Sequence, residues 1–222
     1  MINHEPAITQ ERIKTPRAAA IAGILFSVLL IISLVLIRIS IPGNPQDLGE
    51  WLSENLKVVG IALNLIPFAG IAFLWFIGVV RDRLGSHEDR FFSTIFLGSG
   101  LLFLAMLFTS AAVTGGIIAS FQVTPRQLIE SGIYTFGRTV VYEIMNVYTM
   151  RMAGVWMIST CTLSLRTGII PRWMAFLGLA MALFLLFSMG LLYWAPLVFP
   201  LWVLLISIHI LLENLKKQKV EG

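Results

Sequence analysis

The sequence contains a single cysteine, Cys161, and only three histidines, His4, His87 and His209. One thiol cannot form a disulfide framework or a paired metal or redox centre. The histidines are scattered, so no HExxH or other zinc spacing exists, and no P-loop or GxSxG nucleophile elbow occurs in the chain. No catalytic, cofactor-binding or metal-ligating residues are expected, and an enzyme is not the class the residues support. Charge is scarce as well, at 13% of residues. Its balance is a formal +4, but the Lys and Arg side chains stand at the ends of apolar runs instead of gathering on one polar face. That distribution argues against a nucleic-acid surface and fits the positive-inside rule.

What fills the sequence is apolar. With 57% hydrophobic residues and a mean hydropathy of +0.86, the chain is too apolar for a soluble domain of 222 residues. A hydrocarbon core about 30 Å thick takes roughly 20 apolar residues per helical crossing, which leaves room for about six. The expectation is an all-α, polytopic transmembrane bundle, one integral membrane domain over residues 1–222. Its crossings fall near 18–40, 58–80, 91–120, 139–165, 173–193 and 196–212. The polar stretch before Ala18 leads into a span too long for a signal-peptide core, so the first helix is expected to be retained. Ala19 with Gly23, Ala111 with Gly115 and Ala112 with Gly116 are small residues four apart, a spacing that permits close helix approach in lipid. Pro67 interrupts the second crossing and frees the carbonyl of Leu63 beside Asn64, which predicts a kink. Cys161 reads as a small apolar residue of the fourth crossing and His209 as a packed histidine of the sixth.

Two short amphipathic surface helices are expected between crossings. In the first, Asn44 is a good N-cap, Pro45 suits the first helical position and Asp47 favours the positive end of the helix. Leu48, Trp51, Leu52 and Leu56 then share one face, with Trp51 at headgroup level. In the second, Thr124 and Gln127 make a capping-box pattern around Pro125. Eleven Lys and Arg residues fall on one side of the bundle, at 12, 14, 17, 81, 83, 90, 166, 172, 216, 217 and 219. The other side holds three, Lys57, Arg126 and Arg138. Both termini are therefore expected in the cytoplasm and both surface helices outside it.

The fourth crossing is the unusual one, because it carries Glu143, Asn146, Tyr148 and Arg151. An arginine at the bilayer centre costs about 2.5 to 3.5 kcal/mol on insertion scales, so such residues are expected to face a protein interior or a wet cavity. Glu143 and Arg151 are about 12 Å apart along a helix, too far for a close pair. Arg38, near the outer end of the first crossing, is expected at the depth of Glu143 and to neutralise it. Arg151 lies deeper, where Asn64, Tyr148 and the hydroxyls of the third crossing are expected to solvate it. The candidate polar interior is thus Arg38, Asn64, Glu143, Asn146, Tyr148 and Arg151. Two roles fit: a set of ion pairs and hydrogen bonds that fixes helix register, or a cavity open to the outer face in which Arg151 meets an anionic group or Glu143 exchanges a proton.

The opening TPRAAAIAGILF and the later LRTGIIPRWMAFLGL resemble a large family of uncharacterised bacterial six-helix membrane proteins, known only as a domain of unknown function. The resemblance implies a bacterial inner-membrane location and brings no activity and no catalytic residue. Two function classes follow. One is transport or binding of an ion or small anionic solute; the other is a non-catalytic membrane partner in assembly, sensing or stress tolerance. The partners expected are the lipid bilayer, the anionic solute, and a second copy or another membrane protein.

Overall fold

The computed structural model describes residues 15–44, 47, 49–84, 90–168, 170–187 and 192–221, and among them the chain is helical without strands. The helices are α1 (Thr15–Ser40), α2 (Trp51–Glu54), α3 (Leu56–Leu84), α4 (Arg90–Val123), α5 (Pro125–Glu130), α6 (Ile133–Glu143), α7 (Met150–Thr167), α8 (Arg172–Phe187) and α9 (Val198–Glu221). A π-helical turn, Ile144–Thr149, joins α6 to α7, and a 3-10 turn, Ala195–Leu197, leads into α9. His4, Arg12, Lys14, Pro45, Leu48 and His87, all used in the reading of the sequence, lie outside the described residues.

Among the described residues, four stretches are long and apolar enough to cross a membrane: Ala18–Ser40, Leu56–Arg81, Ser93–Val123 and Ala195–Lys216. The predicted fourth crossing lies within an unbroken helical run from 133 to 167, and α8 is a shorter apolar helix. Large apolar side chains face outward along the bundle, among them Phe68, Trp75, Phe176 and Phe187, as a hydrocarbon solvent allows.

α1 packs chiefly against α3 and α9, while α7 is held between α4 and α8. The predicted close approach at Ala19 and Gly23 is present, since a Cβ on Gly23 would overlap Ser207 of α9 and Phe76 of α3. At Gly115 and Gly116 it is not: nothing lies within 4 Å of a Cβ built there, and α4 meets α6 at Ile117 against Gly137 instead. Hydroxyls inside the helices mostly bond back to their own backbone, as Ser27 does to Gly23, Thr114 to Ser110 and Thr160 to Trp156. Ser33 is different, donating across to the Ala62 carbonyl at 2.6 Å and tying α1 to α3.

Mid-bundle, five helices converge on an aromatic layer. Phe26, Phe73, Phe103, Trp156 and Phe199 are buried there, with ring centroids from 4.5 to 6.4 Å apart. The indole N–H groups of Trp156 and Trp202 have no hydrogen-bond partner. Buried orphan donors of this kind are uncommon, and here they mark a layer closed by apolar contact alone.

A second, smaller core forms a cap over the end of the bundle away from the termini, built from Trp51, Leu52, Val59, Ile117, Leu128 and Tyr134. The predicted surface helices are both here, in altered form. α2 spans Trp51–Glu54, the expected first helical position at Pro45 lies outside the described residues, and Asp47 spends one carboxylate oxygen on the Gly49 N–H at 2.8 Å. Gly49 turns the chain at φ +80°, a conformation that suits glycine. Trp51 is 2% exposed, its indole drawn inward to the hydroxyl of Tyr134. α5 starts at Pro125 as expected, but no capping box forms, since the Thr124 hydroxyl turns back to Ser120 of α4.

Candidate functional site

The polar interior lies at the cap end, and two arginines organise it. Arg38, in the last turn of α1, is half-buried and donates from Nη2 to Asn146 Oδ1 at 2.8 Å. Its guanidinium lies 4.3 Å over the Tyr193 ring. The Tyr193 hydroxyl in turn donates to the Arg38 carbonyl at 2.5 Å, with the Ile41 carbonyl 3.0 Å away. These contacts satisfy carbonyls that a helix C-terminus leaves without partners.

Asn146 reaches Arg38 because of the π-helical turn. Its amide donates to the Tyr142 carbonyl at 2.9 Å, which leaves Oδ1 free to point at α1. Thr149 donates to the Ile144 carbonyl, five residues back, at 2.8 Å and closes the widened turn. Such turns are concentrated at functional sites.

Arg138 of α6 belongs to a separate network in the cap. It donates through Nε (3.2 Å) and Nη2 (3.0 Å) to Asp47 Oδ2, and through Nη2 to the Pro42 carbonyl at 2.9 Å. Tyr134 donates to Asp47 Oδ1 and accepts from the Trp51 indole at 2.9 Å. Burial, reinforced by the bond to Asp47, pushes the Tyr134 hydroxyl up to about 12, so it remains a donor at any physiological pH. The ion pair is 8% exposed on the Arg138 side and 11% on the Asp47 side.

Between these networks lies a cavity of about 70 Å³. Arg38, Arg138, Asn146, Tyr142, Ser110 and Thr114 supply its polar wall, and Leu34, Leu63, Ile66, Leu107 and Met145 its apolar floor. A water needs roughly 10 to 15 Å³ of such space, so several waters or one small solute fit. Asp47 neutralises Arg138, whereas the partners of Arg38 are a neutral amide and a neutral ring. Among the described residues the cavity therefore carries one uncompensated positive charge, arranged for charge-assisted hydrogen bonds to an anion. On the other side of the Arg38–Tyr193 pair is a shallow open cleft of about 290 Å³ that includes Glu50 and Glu54.

Of the six residues expected to form a polar interior, only Arg38 and Asn146 come together. The expected neutralisation of Arg38 by Glu143 does not occur. Glu143 is exposed, and Asn146, three residues further along a helix, faces α1 in its place. Asn64 is exposed and bonds to the Gly60 carbonyl of its own helix at 2.9 Å. Tyr148 is 56% exposed. Arg151 is half-buried, lies outside the cavity and makes no hydrogen bond or ion pair with the described residues, so the predicted solvation by Asn64, Tyr148 and the α4 hydroxyls is absent. The inward face of 133–167 is fixed by Gly137, Arg138, Asn146, Ala153 and Trp156, and Glu143, Tyr148 and Arg151 fall away from it.

Asp47, Tyr134, Arg138 and Tyr193 were not expected at the site. The sequence places Asp47 at a helix N-terminus and Arg138 among the end charges, and an acid and a base at the same end of the bundle are the signal for their pairing. Among the described residues no group of three or more His, Cys, Asp or Glu side chains is placed to hold a metal ion. No protein-family model matches the chain, and neither a curated protein nor a solved structure matches it.

Proposed function

We propose that this protein binds a small monovalent anionic solute in the cap-end cavity, with Arg38 as its anchor. The observation that carries the proposal is the unpaired charge of Arg38 beside the Asn146 amide, in a cavity of about 70 Å³. Glu50 and Glu54 in the adjoining cleft oppose multiply charged anions. Binding is favoured over conduction, because the aromatic layer of Phe26, Phe73, Phe103, Trp156 and Phe199 lies between the cavity and the termini end. The apolar residues of α2 and α5, Trp51, Leu52 and Leu128, are consumed in the cap core, so the surface helices offer little to a docking partner.

The setting proposed is a six-crossing bundle in a bacterial inner membrane, with residues 139–165 of the run 133–167 as the fourth crossing and α8 in the fifth. The eleven-to-three distribution of Lys and Arg supports a cytoplasmic position for both termini and an outward-facing cap. The resemblance to the uncharacterised bacterial family supports the helix count and the location.

The test is thermal stability in detergent at constant ionic strength, comparing nitrate, acetate and formate with sulfate. At a concentration about 100 times its dissociation constant, a bound ion adds about 2.7 kcal/mol, or roughly 5 to 10 °C for a protein of this size. Monovalent anions should stabilise the parent protein and leave Arg38→Met unaffected, with Arg38→Lys intermediate. Equal responses from parent and Arg38→Met would refute the proposal.

A further inference from the structure

The anion cavity leaves Arg151 unexplained. It stands twelve residues from Thr139 and fourteen from Leu165, about 18 and 21 Å from the two ends of the fourth crossing. A snorkelling side chain spans neither distance. Arg151 nonetheless makes no hydrogen bond or ion pair with any described residue. It belongs to a half-buried or exposed stripe on α7 and the π turn, with Tyr148, Val155, Ile158 and Thr162 at spacings of three and four. Ala153, Trp156, Met157 and Thr160, on the other side of the helix, are buried. α4 and α8 pack against α7, and the stripe is the face they leave uncovered.

An unpaired guanidinium in hydrocarbon calls for an anion at its own depth. Lipid headgroups are too distant. Among the described residues no carboxylate serves, because Glu143 lies about 12 Å nearer the cap, and Asp47, Glu50, Glu54 and Glu130 are in the cap itself. Glu213 is near the far end of α9, beside His209. A second copy in the same orientation repeats this arrangement and supplies no carboxylate at the level of Arg151. An inverted copy would bring Glu143 towards Arg151, but the Lys and Arg asymmetry opposes two orientations in one membrane.

We propose that the Arg151 stripe docks a transmembrane helix of a different protein, one that carries an aspartate or glutamate at mid-bilayer depth. The planar guanidinium takes the carboxylate by paired N–H donors, and Val155 and Ile158 supply the apolar contact beside it. The proposal rests on 133–167 being a crossing and is independent of the anion cavity.

The experiment uses the full-length protein in phosphatidylcholine vesicles above neutral pH, labelled for energy transfer to synthetic Leu-Ala transmembrane helices. The probe helices carry Asp, Asn or Leu at the centre, or Asp two turns from it. The centred Asp helix should associate about tenfold more tightly than the others, a gain in the range of interhelical polar contacts in lipid. Arg151→Lys should keep most of that preference and Arg151→Gln should lose it. Equal association of all four probes with the unaltered protein would overturn the proposal without appeal to any variant. So would Arg151-dependent self-association with no preference among probes, which would assign the stripe to a second copy.

Discussion

Replacing Asp47 by alanine is the most severe test of how the cap is held. Asp47 receives two donors from Arg138, one from Tyr134 and one from the Gly49 backbone. Its loss leaves Arg138 charged and 8% exposed, with the Pro42 carbonyl as its one hydrogen-bond acceptor among the described residues and the Trp51 ring 5.9 Å away. Removing one partner of a buried ion pair costs about 3 to 5 kcal/mol, and an unmet buried hydroxyl or N–H adds about 1 kcal/mol. A total near 5 kcal/mol, at about 2 to 4 °C per kcal/mol for a protein of this length, lowers the melting temperature by roughly 10 to 20 °C. Melting in detergent, followed by intrinsic tryptophan fluorescence, would report both the shift and the release of Trp51. The decisive control is the double variant Asp47→Ala with Arg138→Met. It strands no charge and should recover at least half of the loss. If Asp47→Ala melts within about 2 °C of the parent, or the double variant loses the sum of the singles, the cap does not depend on this ion pair.

Alkaline titration should report on the same network through Tyr134. Its folded-state value of about 12 stands above the ordinary tyrosine value, near 10. The protonated hydroxyl therefore contributes stability fully present below about pH 10 and lost as pH rises through 12. The melting temperature of the parent should fall more steeply over that interval than that of Tyr134→Phe, and parallel slopes would refute the assignment. Membrane topology gives a further check: reporter domains fused after Lys219 and inserted within 84–88 should both report the cytoplasm. An outward signal from either would remove the six-crossing arrangement.

Much of the bundle was legible in the sequence, because in lipid the requirement for internally satisfied backbone and apolar surface is written residue by residue. The long apolar runs became α1, α3, α4 and the apolar part of α9, Pro125 opened α5, and Ala19 with Gly23 marked a real close approach. Arg38 and Asn146, grouped from the sequence, meet at 2.8 Å, since a charge or amide within an apolar run has few other solutions. Which residues meet was not legible. Partner choice depends on helix azimuth, and one π-helical turn between Ile144 and Thr149 carries an extra residue into the register. A period of 3.6 drawn through Glu143 and Arg151 does not contain that turn. Asp47 and Arg138, 91 residues apart, looked like separate end charges until folding brought them to 3.0 Å. The sequence by itself determined that the chain is a helical membrane bundle with polar residues it has to shelter. Only the tertiary structure decided that Arg38 shelters in the cap-end cavity and Arg151 faces outward, because burial of a helical side chain is settled by which neighbours cover its face.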